Sequence, residues 1–209
     1  AGGGFSPFHV AAIRGREEAS MALARAGAAV HRKAPYKQSA LHLAAGAGHA
    51  GMISALVVDL RVAVEGGDDM GATPLHTAAC HGKADCVRVL LGLGAEVDAR
   101  DRCGRSALFQ AGRWAGQSGL EVMRELLHAG AKVRTSSDDG DTPLHVACRY
   151  GRADAVRLLL RHDADERTRC DLGKTPEDVA RQAEKRGDFS ADEAREIYAA
   201  LETAPAGRA

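Results

Sequence analysis

Four side chains with soft metal-ligating atoms, His76, Cys80, His81 and Cys86, fall within eleven residues of one another. These are residue types that hold zinc. Their spacing argues against a shared ion. Cys80 and His81 are consecutive, and consecutive side chains on a helix point about 100° apart. Cys86 opens the next periodic segment, so no metal site is expected. Other chemistry finds even less support. There is no Gly-x-Ser-x-Gly elbow and no Gly-x-x-x-x-Gly-Lys-Ser/Thr phosphate loop. The glycines at 2–4 stand before a capped helix without a preceding strand or a lysine, and read as a flexible end covering residues 1–5. The acidic pairs Asp68-Asp69 and Asp138-Asp139 are explained by turn chemistry. No catalytic residue and no cofactor is expected.

The elements that carry these residues repeat. Thr73-Pro74-Leu75-His76 recurs, intact or altered, in copies opening at Ser6, Ser39, Thr73, Ser106, Thr142 and Thr175, with steps of 33, 34, 33, 36 and 33 residues. A period near 33 marks a solenoid of stacked supersecondary units. In the third copy Thr73 caps a helix from about Pro74 to Cys80, with Pro74 at the first helical position where its missing N–H costs nothing. Small residues recur on that helix, as in Ala44-Ala45, Ala78-Ala79 and Ala147-Cys148, and let neighbouring helices approach closely. Gly82 closes it. A second helix from about Ala84 carries Val87, Val89, Leu90 and Leu91. Gly94 lies past its end, and an extended excursion leads to the next copy. Each unit is therefore helix, turn, helix and projecting hairpin-like loop.

These residues resemble the ankyrin repeat. The resemblance covers residues 6–203, with copies beginning at 6, 39, 73, 106, 142 and 175, and leaves 204–209 as a tail. It implies an all-α solenoid with a concave groove, lined by inner helices and loop tips, that holds protein partners. It also makes His9, His42, His76 and His145 structural, each imidazole bonding backbone in the turns. Two copies depart from the pattern. The fourth lacks Pro and His and gains three residues around Gln117-Ser118-Gly119, expected as a longer surface loop. The last replaces Leu and His by Glu177 and Asp178 and adds a capping box at Ser190–Glu193, the polar end a solenoid needs.

The variable inner-helix positions of the fold, seven and eight residues after each opener, bring out His81, Arg113, Trp114, Arg149 and Tyr150. The loop tips beside them add Arg100, Arg102, Arg167 and Arg169. Trp, Tyr and Arg are the types most enriched at interface hot spots, so these nine residues are the expected partner-binding set, facing an acidic or partly apolar segment. The competing expectation pairs the arginines with Asp98, Asp101 and Asp171. Lys plus Arg equals Asp plus Glu at 28 each, which gives no field favouring nucleic acid or an anionic membrane. Five cysteines without a Cys-x-x-Cys pair point to a reducing compartment, cytoplasmic or nuclear. The expected protein is a monomeric, non-catalytic scaffold. The alternative is a substrate-recruiting segment of a larger enzyme or ubiquitin-ligase-type assembly, since the chain starts without Met.

Overall fold

A computed structural model describes residues 4–113 and 116–203. Every regular element among them is helical. They fall into two compact units, divided between Arg102 and Cys103. The first unit holds α1 (Pro7–Ile13), α2 (Glu17–Arg25), α3 (Ala40–Ala47), α4 (Ala50–Ser54), α5 (Pro74–Cys80) and α6 (Ala84–Gly92). The second holds α7 (Ala107–Ala111), α8 (Gly116–His128), α9 (Pro143–Arg149), α10 (Ala153–Arg161), α11 (Pro176–Arg186) and α12 (Ala191–Glu202).

Each odd-numbered inner helix from α1 to α11 except α7 begins with a reciprocal capping box, and its third residue explains why. In the fifth copy the Thr142 hydroxyl accepts from the His145 N–H at 3.4 Å, and the Thr142 N–H donates to His145 Nδ1 at 3.1 Å. Two orphan donors of the helix start are thus satisfied within three residues of sequence. In the sixth copy Asp178 performs the same task, accepting from the Thr175 N–H at 3.0 Å. The altered motif keeps its function because a carboxylate accepts as an imidazole nitrogen does.

Packing follows from side-chain size. The leucines two residues after the openers, Leu41, Leu75, Leu108 and Leu144, are at most 1 % exposed, and burying each contributes about 1.5–3 kcal/mol. Ala44, Ala45, Ala78, Ala79, Ala147 and Cys148 have no exposed surface. They let α1 lie on α3 and α3 on α5 in the first unit, and α9 lie on α11 in the second. At Gly112 the approach of α9 is close: an added Cβ would sit 3.3 Å from the Pro143 carbonyl oxygen.

Between the helix pairs the chain forms hairpin-like loops. The Ser137 N–H donates to the Asp141 carbonyl at 2.8 Å, and the Cys170 N–H donates to the Lys174 carbonyl at 3.0 Å. Successive loops are joined by one further bond each. Asp69 N–H donates to the Tyr36 carbonyl (2.9 Å) and Arg102 N–H to that of Met70 (2.9 Å) in the first unit. Asp138 N–H reaches Cys103 (2.9 Å) and Asp171 N–H reaches Asp139 (3.0 Å) in the second. Gly140 has φ +75°, and a Cβ there would stand 2.8 Å from the Asp171 nitrogen, so only glycine serves.

One expectation about a loop changes. The extra residues of the fourth copy do not lengthen a loop: they lie in α8, which has 13 residues against 9 in α6 and α10. Glu184 to Arg186 likewise extend α11 to 11 residues, and Gly187 then ends it at φ +76°. Adding to a helix satisfies each new backbone group internally, whereas a loop would leave them to solvent. Residues 204–209 lie outside the described residues.

Candidate functional site

The histidines of the motif tie one copy to the loop of the next. His9 Nε2 donates to the Arg32 carbonyl (2.9 Å), His42 Nε2 to Ala72 (2.8 Å) and His145 Nε2 to Lys174 (3.1 Å). Because Nδ1 accepts from a backbone N–H, Nε2 carries the proton, and the neutral ring has no lone pair left. Burial pushes the His42 and His145 rings below their ordinary pKa. This settles one group of possible metal ligands among the described residues, buried Asp141, His145 and Cys170, whose ligand atoms lie within 4.8 Å of one another. Both His145 nitrogens are engaged, so an ion would have to break the turn. Of the cluster His76, Cys80, His81 and Cys86, the Cys86 thiol is buried and pushed up to about 11 by that burial. His81 Nδ1 is bonded to the Thr77 carbonyl at 2.8 Å.

The expected partner-binding residues divide between the units. His81, Arg100 and Arg102 belong to the first and all are exposed. The His81 ring packs beside Gly46 of the preceding copy, where a Cβ would come within 3.7 Å of it. Arg102 covers Gly71 with its Cγ. In the second unit the Arg113 guanidinium stands 5.3 Å from the centre of the Tyr150 ring, a cation–π pair that joins neighbouring copies. Arg152 Nε reinforces it by donating to the Arg113 carbonyl at 3.3 Å. Trp114 lies outside the described residues.

The remaining arginines have differing partners. Arg149 Nη2 meets Asp141 Oδ2 at 2.6 Å. Arg169 Nη1 donates to the Gly173 carbonyl at 2.6 Å and braces its own loop. Arg167 is 79 % exposed, with a 3.6 Å contact to Glu166 that solvent screens to a few tenths of a kcal/mol or less. Asp171, an expected partner of these arginines, forms no ion pair with a described residue.

A cleft of about 450 Å³ opens beside Arg149, walled by the fifth and sixth loops. Of its residues, Asp141, Leu172 and Lys174 were not singled out from sequence, and Asp139 was assigned to turn chemistry alone. A signal existed: Tyr36, Met70, Cys103, Asp139 and Leu172 all stand three residues before an opener. That position is the loop tip, and Tyr36, Met70 and Leu172 are 75 %, 51 % and 77 % exposed there.

Stacked helix pairs, tip-bearing loops and buried motif histidines define a repeat protein built around a recognition surface. The family model described as ankyrin repeats (3 copies) matches residues 8–101 and 108–187, and the chain belongs to the ankyrin-repeat family. It is 33 % identical over 177 residues to a transient receptor potential cation channel subfamily A member 1 homolog of Caenorhabditis elegans, covering 84 % of this chain and 14 % of that protein. It is 33 % identical over 183 residues to the B-cell lymphoma 3 protein homolog of Mus musculus, covering 84 % and 40 %. Ankyrin repeat and SOCS box protein 11 of Danio rerio is 40 % identical over 107 residues, covering 51 % and 35 %. The chain thus spans well under half the length of these relatives. No helix among the described residues is long and apolar enough to cross a membrane.

Proposed function

We propose that this chain is a non-catalytic scaffold that binds a protein segment across its inner helices and loop tips, a segment that is acidic or partly apolar. The observation that supports this most is the exposed Arg113–Tyr150 pair. It offers a flat aromatic face and a guanidinium edge preorganised by the Arg152 bond, so little ordering is lost on binding. Arg167 adds a nearly unpaired cation in the same unit. A monomer in the cytoplasm or nucleus, binding neither nucleic acid nor membrane, fits the balanced charge and the five free cysteines.

The test compares wild type with an Arg113→Ala/Tyr150→Ala variant in affinity capture from a lysate, after circular dichroism shows equal helicity. Loss of the same captured proteins from the variant supports the reading. Equal capture by both sinks this surface as the binding site. A second reading has support from relatives: one carries a SOCS box by name and another is named an E3 ubiquitin-protein ligase. In that reading the segment recruits substrate to an assembly whose chemistry lies outside this chain. Ubiquitin-ligase subunits among the captured proteins would favour it.

A further inference from the structure

We infer that the cleft between the fifth and sixth loops anchors an arginine side chain of a polypeptide partner; this rests on the protein-binding reading above. The cleft is lined by three carboxylates, Asp139, Asp141 and Asp171, and three cations, Arg149, Lys174 and Arg186. Formal charge balances, but pairing does not. Arg149 is engaged by Asp141 at 2.6 Å and Arg186 by Asp188 at 2.8 Å, while Lys174 Nζ donates to the neutral Gln182 at 2.7 Å. Asp139 and Asp171 form no ion pair with a described residue. The unmet charge of the cleft is negative.

The second observation concerns one atom of the cleft wall rather than the charges at its mouth. Asp141 is only 8 % exposed, lines the cleft, and its Oδ1 has no hydrogen-bond partner. Buried carboxylate oxygens are normally satisfied, because leaving one bare forfeits its hydration without return. Oδ1 is therefore free to accept from an incoming N–H donor. An incoming carboxylate or phosphate would face Asp139 and Asp171 and find two of the three cations already spent on acids. A guanidinium carries donors in a fixed fork, so one group can serve Asp141 Oδ1 and a mouth carboxylate together. Its methylene stem can lie along Leu172, 77 % exposed at the cleft edge. Since Oδ1 is shielded from solvent, entry displaces a wall side chain, a rotamer change common at interfaces. The partner is then an acidic segment over Arg113 and Tyr150 that contains an arginine.

The test selects phage-displayed random peptides on the whole chain, and then measures their affinity for wild type, Asp141→Asn and Asp171→Asn, each verified as folded by circular dichroism. Asp171 is exposed, so its variant reports on binding even if Asp141→Asn loosens the loop. N-acetyl-arginine amide, titrated with amide resonances observed, probes the cleft directly, with N-acetyl-citrulline amide as the uncharged control. The expected result is peptides sharing an arginine, weakened about tenfold or more by citrulline there and by either variant. The arginine amide should shift the Asp141 and Leu172 resonances, and the citrulline amide should not. Peptides that lack a basic residue, or that bind both variants within about twofold of wild type, overturn the anchor and leave the scaffold reading standing. Recovery of no peptide, together with no response to the arginine amide, overturns both.

Discussion

The fourth and fifth copies sit in one unit and solve the same problem in different ways. The fifth keeps Thr142-Pro143-Leu144-His145: its inner helix runs seven residues, and one imidazole ties the helix start to the next loop. The fourth reads Ser106-Ala107-Leu108-Phe109, and its inner helix shrinks to five residues. Ser106 still caps it, accepting from the Phe109 N–H at 3.3 Å, but the reciprocal bond is gone. Phe109 is 8 % exposed, so burial replaces the polar tie, and the outer helix is four residues longer than its counterpart. A repeat tolerates loss of its signature histidine when the vacated position is filled by apolar volume. Specific hydrogen bonds and non-directional burial are interchangeable in stabilising the stack, although only the former fix a geometry.

The contrast can be broken most forcefully at Phe109. Phe109→Ala should cost about 3–4 kcal/mol through lost burial and a residual cavity, read as a lower urea midpoint. His145→Ala should cost about 2–3 kcal/mol, since it leaves the Thr142 N–H and the Lys174 carbonyl without their partner. If the histidine change proved the larger, polar ties would dominate the stack and the equivalence would fail.

Acid should separate the two copies next. Burial lowers the pKa of His42 and His145 in the folded chain below the ordinary 6.5. The unfolded chain therefore takes up protons first as pH falls. The stability these rings contribute is complete above pH 6.5 and is lost progressively below it. Urea unfolding at neutral pH and near pH ~5 should show this decline, and His145→Phe should flatten it, whereas changes at Phe109 should leave its slope alone. A slope unaltered by His145→Phe would remove that ring from the account.

The smallest effect is expected at Asp163, which takes the place of the exit glycine at φ +64°. Asp163→Gly should raise stability by about 0.5–1 kcal/mol, because an L side chain is strained there. Its carbonyl, which accepts from Arg134 Nε at 2.8 Å, is retained. A loss of stability would mean the aspartate side chain holds the turn.

Much of this was legible from one sequence. Openers, inner helices and caps could be placed because a capping bond spans three residues and a helix turn spans four. Thr73–Cys80 and Ala84–Gly92 needed nothing beyond their own residues and the period that marked them. The insertion at Gln117-Ser118-Gly119 was misplaced into a loop because polar and small residues suit loops and exposed helix starts alike. The candidate site remains a proposal, and its residues differ in how they were reached. Arg113 and Tyr150 were found by register, but their stacking across 37 positions was not.

The sequence by itself determined the repeat, its period, the helix pairs and the exclusion of familiar catalytic motifs, since each rests on contacts between residues close in the chain. Only the tertiary structure decided which arginines were spent and which remained. Arg149 went to Asp141, eight residues away, while Asp171 came to the cleft mouth unpaired from thirty residues beyond that. Such pairing depends on how the loops of adjacent copies are set against each other. Charge acts through space, and spacing along the chain says little about which carboxylate a guanidinium will reach first.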